Sequence, residues 1–507
     1  MSSKSEKKGF VLHMLDFVES AGNKLPQPFI LFAILTATVI VLSAVLSWMG
    51  VSAVHPQDPT QQIEVFNLLS PEGVASIFSS VVSNFINFPP LGLVIVMMVG
   101  IGLVEQTGLI STALRMLVMS MPRQLVTLTL VFSAIMANLA VDAGYVVLVP
   151  LGAVVFLSMG RHPIAGLAAA FAGVSGGFSA NLLITPLDAL LGGISESAAQ
   201  TFHPDFEFNI AGNFYFMAAS VVFLTLVGTW ITEKIVEPRL GTYEGEYKGE
   251  SYEITALEKK GLKFSGLALL VTVALLSLLV VPENAPMRGP EGTIVPSPFL
   301  THLVPVMLIF FFVPGLVYGI VTKSITKSAD VPALITKTMA GMAGFITLVF
   351  MASQFVGFFT QSNLGLIMAV SGAEFLQAIG LTGFWLILLF IILAAFINLF
   401  IGSASAKWAI MAPIFVPILM ELGYTPEFTQ LAYRIADSTT NVISPLMSYF
   451  ALILAFAQKY DKNMKLGTLI SSMVPYSVAF FIFWVALLAV WMFLDLPIGP
   501  GTGIFIQ

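Results

Sequence analysis

The chain contains no cysteine, which excludes disulfides, thiolate metal sites and a cysteine nucleophile. Charge is scarce as well. Among 507 residues, Lys and Arg total 22 and Asp and Glu total 28, for a net charge of −6. A soluble chain carries about a quarter charged residues, so a water-facing globule is excluded. So dilute an acidic balance indicates no nucleic-acid partner. No G-x-x-x-x-G-K-[ST] loop occurs, so the chain does not hydrolyse ATP through that motif. The histidines, His13, His55, His162, His203 and His302, form no H-E-x-x-H pair.

What the chain has in abundance is apolar: 57% of its residues are hydrophobic and Phe alone occurs 42 times. Long apolar runs recur from Pro28 to Trp491, the mark of a polytopic helical membrane protein. The run Phe29 to Met49 spans about 20 residues, long enough to cross the hydrocarbon core and too long for a signal-peptide core.

Lys and Arg favour the cytoplasmic side, and the loops sort by that rule. Lys4, Lys7 and Lys8 place the N-terminus inside. The segment Val51–Gly73 has no Lys or Arg and is placed outside. The loop 233–263, with Lys234, Arg239, Lys248, Lys259, Lys260 and Lys263, is inside. The stretch after Asp495 has no basic residue, so the C-terminus is outside. A bacterial-type inner membrane is the expected location.

Two asparagines recur at one offset. Asn138 is followed 260 positions later by Asn398, and Asn181 by Asn441; Pro186 follows the first Asn181 and Pro445 the second Asn441. Two matches at one offset predict an internal repeat, and the charge rule gives its halves opposite orientations, as in many secondary carriers. The expected fold is an all-α polytopic membrane protein with about nine transmembrane helices and two re-entrant helical hairpins in an inverted repeat. Residues 1–106 hold the tail and first scaffold spans. Residues 107–204 form one transport half, with a hairpin at 124–160 and a broken helix at 163–198. Residues 205–338 return to scaffold. Residues 339–458 form the second transport half, with a hairpin at 384–420 and a broken helix at 425–457. Residues 459–507 carry the last span.

A broken helix at membrane depth exposes amides and carbonyls that need partners, so breaks persist where they line a cavity or bind something. Gly173, Gly176, Gly177, Ser179, Asn181, Thr185 and Pro186 mark one break; Asp437 to Asn441 with Ser444 and Pro445 mark the other. The competing reading is that the small residues only allow close helix packing.

Asp142, Asp188, Lys407, Arg434 and Asp437 lie in otherwise apolar stretches. Each costs about 2.5–3.5 kcal/mol if it faces lipid, so each needs a partner or a cavity. Arg434 and Asp437 share a helical face at i, i+3 and would neutralise each other. Alternatively they divide the work. Arg434 then receives a carboxylate with its two-pronged fork, and Asp437 holds a cation with the Asn398 carbonyl and backbone carbonyls near Gly402. Asp188 borders the same break. Trp408 is placed either to stack on an aromatic ligand or to pack within its hairpin. Gly173-Val174-Ser175-Gly176 matches the string of intramembrane serine proteases, but no histidine base lies at membrane depth. An anion channel is the other alternative; paired hairpins favour a moving, occluding site. The chain is read as a carrier, not an enzyme, and no cofactor is expected.

At these residues the chain resembles the AbgT family of p-aminobenzoyl-glutamate transporters. The likeness runs from Gly22-Asn23-Lys24-Leu25-Pro26 to the last span. Its most specific pieces are Asp142 to Leu148, Gly176 to Asn181, Ser362-Asn363-Leu364-Gly365, Ala406-Lys407-Trp408 and Tyr433 to Ser438. The resemblance implies about nine spans, two hairpins and a homodimer with a solvent-filled bowl. It implies that Asp188, Trp408, Pro426 and Arg434 handle substrate, beside Asn181 and Asn441 at the breaks. Asn398 and Asp437 match the family's sodium positions, which makes Na+ the expected coupling ion. The implied substrate is a small aromatic carboxylate such as p-aminobenzoyl-glutamate or p-aminobenzoate, or a sulfonamide, moved inward or in drug efflux. Proton coupling through Asp142, Asp188 or Asp437, with antimetabolite export, is the alternative.

Overall fold

The computed structural model describes residues 26–54, 62–140, 144–245, 254–289, 292–295, 297–444, 447 and 449–506. The tail lysines Lys4, Lys7 and Lys8, the motif residues Gly22 to Leu25, Lys248, Asp142 and Pro445 lie outside the described residues.

Among the described residues, eight helices are long and apolar enough to cross a membrane: Pro28–Trp48, Pro71–Thr107, Phe214–Leu240, Ala256–Ser277, Leu303–Thr322, Ala343–Gln361, Ala404–Glu421 and Leu466–Phe493. Counting the pair Leu109–Met119 and Arg123–Leu139, bent by 120°, makes nine. Length alone admits Ala404–Glu421, which is an arm of the expected second hairpin, and leaves out the broken crossings because each half-helix is short. The outer surface is apolar: Leu267, Leu270 and Leu275 on Ala256–Ser277 are all exposed, a surface that only lipid or a partner covers. Prolines open many of these helices at the first turn, where the missing N–H costs nothing; Pro28, Pro71, Pro89, Pro163, Pro186 and Pro426 are examples.

Two stretches are segmented. Pro71–Ile86 gives way to Pro89–Thr107 because a residue before proline is pushed out of the helical region. Ala343–Gln361 gives way to Leu364–Ala378 at Asn363, whose φ of 60° is left-handed. Its side chain donates to the Glu64 carbonyl at 2.9 Å. This ties the break to a small antiparallel ribbon, Ser52–Val54 with Gln62–Glu64, and accounts for the Ser362-Asn363-Leu364-Gly365 motif.

Eight helices build the two repeats. In the first, α1 (Val126–Met136) and α2 (Val149–Ser158) are hairpin arms, and α3 (Pro163–Phe171) and α4 (Pro186–Ala199) are the halves of the broken crossing. In the second, the arms are α5 (Gly383–Asn398) and α6 (Ala404–Glu421), and the broken crossing is α7 (Pro426–Asn441) and α8 (Phe450–Gln458). Helix α3 packs against both α1 and α2, and α7 against both α5 and α6. The repeat extends to single hydrogen bonds. Asn138 Nδ2 donates to the Gly177 carbonyl at 3.1 Å, and Asn398 Nδ2 donates to the Asp437 carbonyl at 2.8 Å, each across 39 residues. One amide in each hairpin tip thus bonds a backbone carbonyl at the break beside it.

The close-packing role of the small residues is real too. Helix α3 runs into a π-helical turn, Ala172–Gly176, where a Cβ on Gly173 would sit 2.5 Å from the Ala134 methyl and one on Gly176 2.8 Å from the Phe480 ring.

Candidate functional site

Helix α7 is the centre of the site. It is buried on every side from Pro426 to Thr439, yet it carries Glu427, Gln430, Arg434 and Asp437. Buried polar groups need partners inside the protein, and both repeats supply them.

Arg434, 1% exposed, reaches across to the first repeat. Its Nη1 donates to Asp188 Oδ1 at 2.6 Å and its Nη2 to the Ser179 carbonyl at 3.0 Å. Asp188 is the third residue of α4, where its Oδ2 accepts the Thr185 N–H and O–H, each at 2.7 Å. The carboxylate therefore caps its own helix while it holds the arginine, and the first break fixes the guanidinium from two directions.

Asp437 does not pair with Arg434, which corrects the i, i+3 expectation. Its partner is Lys407 on α6: Nζ lies 2.6 Å from Asp437 Oδ1, and the lysine is fully buried. Nζ also donates to Asn398 Oδ1 and lies 5.3 Å from the centre of the Tyr433 ring. Three residues apart on α7, Arg434 and Asp437 each face a different neighbouring helix, and each finds an opposite charge there. Asn398 Nδ2 further meets Thr440 Oγ1 at 2.8 Å and Asn441 Oδ1 at 2.9 Å, and Asn441 Nδ2 meets Asp437 Oδ2 at 3.4 Å. Asn398, Asp437 and Asn441 thus form one oxygen-rich cluster. Gly402 lies outside it, exposed in the turn between α5 and α6.

Trp408 is fully buried and donates from Nε1 to Ser195 Oγ at 3.0 Å. Gln430 Nε2 meets the same hydroxyl at 3.2 Å. One face of Trp408 is covered by the Tyr433 ring, stacked at 4.4 Å, so this side chain packs within the protein.

Asn181 and Asp188 line a cavity of about 10 Å³ with Asn213 and the apolar side chains Leu183, Ile184, Ile210, Phe214 and Met217. It is room for about one water. Asn213 Nδ2 donates to Gln430 Oε1 at 2.7 Å, but Asn213 Oδ1, Ser179 Oγ and Arg434 Nε are buried without a hydrogen bond. Pro426 stands apart. It opens α7, about 12 Å along the helix axis from Arg434, in the wall of a larger cavity of about 740 Å³ that Asp205, Glu207, Glu427 and the C-terminal residues Thr502, Phe505 and Ile506 also line.

Among the described residues Ser175 is paired with no histidine base. Its Oγ faces Met447 Sδ at 3.2 Å, and none of the described histidines is among its hydrogen-bond partners.

The model of the AbgT putative transporter family matches residues 13–506. The chain belongs to the AbgT family. This AbgT chain is 42% identical, over 96% of its own length and 96% of the relative's, to the p-aminobenzoyl-glutamate transport protein of Escherichia coli K12. Two solved structures are similar throughout. The Alcanivorax borkumensis YdaH transporter, described as having an unusual topology, shares 44% identity with a TM-score of 0.90 over 94% of this chain and 100% of that one. Neisseria gonorrhoeae MtrF, described as illuminating a class of antimetabolite efflux pumps, shares 46% identity with a TM-score of 0.91 over 96% and 100%.

For this AbgT-family chain the sequence reading missed the link between Lys407 and Asp437, gave Tyr433 only as part of a motif with no role, and missed Ser195, Asn213 and Gln430 altogether. Spacing held part of the signal: Ser195 lies two turns beyond Asp188 on α4, and Gln430 one turn before Arg434 on α7.

Proposed function

We propose that this chain is a sodium-coupled secondary carrier of aromatic carboxylates of the p-aminobenzoyl-glutamate, p-aminobenzoate and sulfonamide class. The observation that carries the reading is the buried Arg434 fork, held between Asp188 and the Ser179 carbonyl with its Nε unpaired. A guanidinium so placed receives a carboxylate by exchanging partners, and Trp408 lies within the same bundle for an aromatic ring. The Escherichia coli relative's substrate supports the choice of ligand. The cavity beside Asp188 is far below the roughly 300 Å³ of a small-molecule pocket. Substrate entry therefore requires the walls to part, which favours a carrier over an open channel. In this reading the transport halves 107–204 and 339–458 move against the remaining scaffold, in a homodimer in a bacterial-type inner membrane with its N-terminus inside. Asn398 and Asp437 serve sodium, with Asn441 a better-placed oxygen donor than Gly402.

A second reading, proton-coupled export, is supported by the likeness to an efflux pump and by the intramembrane acids Asp188 and Asp437. The test is uptake of labelled p-aminobenzoyl-glutamate into proteoliposomes under an imposed sodium gradient or an imposed proton gradient. Saturable uptake that follows the sodium gradient is expected. Uptake that follows only the proton gradient selects the second reading, and no uptake of any aromatic carboxylate under either gradient rejects both.

A further inference from the structure

We infer that Lys407 is a tethered cation that occupies the sodium site and has to leave it before sodium enters. The inference rests on the sodium-coupled reading above and deepens it. Its Nζ contacts the two side-chain oxygens expected to bind sodium, Asn398 Oδ1 and Asp437 Oδ1. Lysine and sodium therefore want the same place. Two unit charges a few ångström apart in a buried site repel strongly, so the ammonium and the ion are mutually exclusive occupants.

The arrangement explains why a lysine is kept at full burial. Asp437 is 1% exposed, and a buried carboxylate without a counter-charge is strongly destabilising. A carrier that binds sodium on one side and releases it on the other must also cross the membrane with the site empty. Lys407 keeps Asp437 neutralised on that return leg, and sodium does so on the loaded leg. The displaced ammonium has a cation-attracting surface beside it in the Tyr433 ring, 5.3 Å away. Tyr433 stacks on Trp408, so a shift of Lys407 is transmitted to the side chain expected to meet the substrate. Sodium binding and substrate binding are linked by this contact.

The experiment is binding of radiolabelled sodium to the purified full-length protein, with Lys407→Met, Lys407→Arg and Asp437→Asn compared with wild type. Removing the competitor is expected to tighten sodium binding at least tenfold in Lys407→Met. Lys407→Arg keeps the charge and is expected to bind sodium no better than wild type. Equal affinities in wild type and Lys407→Met overturn the inference; if Asp437→Asn still loses binding in that case, the sodium-site reading survives without it. No sodium binding in wild type or Lys407→Met overturns both. A Lys407→Met protein that folds only in sodium supports the inference, since the ion then supplies the missing counter-charge. One that stays misfolded at high sodium contradicts it.

Discussion

Arg434 and Asp188 lie 246 residues apart in the chain and meet at 2.6 Å inside the protein. One belongs to the broken crossing of each repeat, so the pair joins the two halves at their breaks. Removing one partner of a buried ion pair costs about 3–5 kcal/mol because it strands the other charge. Asp188→Ala is therefore expected to lower the unfolding temperature clearly and also to uncap α4. Asp188→Asn, which preserves shape and a hydrogen-bond acceptor, is expected to cost less. Thermal melts of the two purified variants and the wild type check the order; variants that melt with the wild type would show that the pair carries no stability.

The two tip asparagines make the same bond but not the same set of contacts. Asn138 satisfies the Gly177 and Ile135 carbonyls, whereas Asn398 also contacts Lys407 and Asn441. Asn138→Ala leaves the Gly177 carbonyl with the Ala180 N–H at 2.9 Å, so Asn138→Ala and Asn398→Ala are each expected to lose the net worth of a hydrogen bond, about 0.5–1.5 kcal/mol. Only Asn398→Ala is expected to change the dependence of transport on sodium. Parallel sodium titrations of uptake decide this, and an equal change in both variants contradicts the assignment.

Trp408→Phe deletes the hydrogen bond to Ser195 but keeps an aromatic ring against Tyr433. The Ser195 hydroxyl retains Gln430, so the stability loss is expected to stay within about 1.5 kcal/mol. Trp408→Ala also opens a cavity and is expected to cost about 3–5 kcal/mol. Denaturation midpoints of the two variants are the check.

Helices α2 and α3 approach through Gly152 and Gly166. A Cβ on Gly152 would sit 2.5 Å from the Gly166 carbonyl oxygen, and backbone cannot yield as a side chain does. Gly152→Ala is expected to destabilise by about 1–3 kcal/mol, with reduced yield of folded protein on size-exclusion chromatography. A variant with wild-type yield and melting point would place slack at this contact.

The repeat was legible because its asparagines stand at one offset and its breaks carry Gly, Ser and Pro, all local signals. The membrane class followed from scarce charge. Pair partners were less legible. Helical spacing puts Arg434 and Asp437 on neighbouring positions of one face, and only the packing of α7 between elements of both repeats turns one toward Asp188 and the other toward Lys407. The lone lysine in the second hairpin was a signal that another acid had to lie near it, but not which one. Gly402 was drawn in by proximity in sequence to Asn398, and the turn carries it outward. The polar run Thr360 to Asn363 marks the place where the span is segmented, but the left-handed turn at Asn363 is a backbone feature that hydropathy does not specify.

The central claim is that Arg434 receives the substrate carboxylate through its fork. The most direct measurement is equilibrium binding of p-aminobenzoyl-glutamate to the purified protein, comparing wild type with Arg434→Lys. The lysine keeps the charge opposite Asp188 and loses the paired donors, so a folded Arg434→Lys protein is expected to bind at least tenfold more weakly. A folded variant that binds as tightly as wild type would place the carboxylate elsewhere and contradict the account.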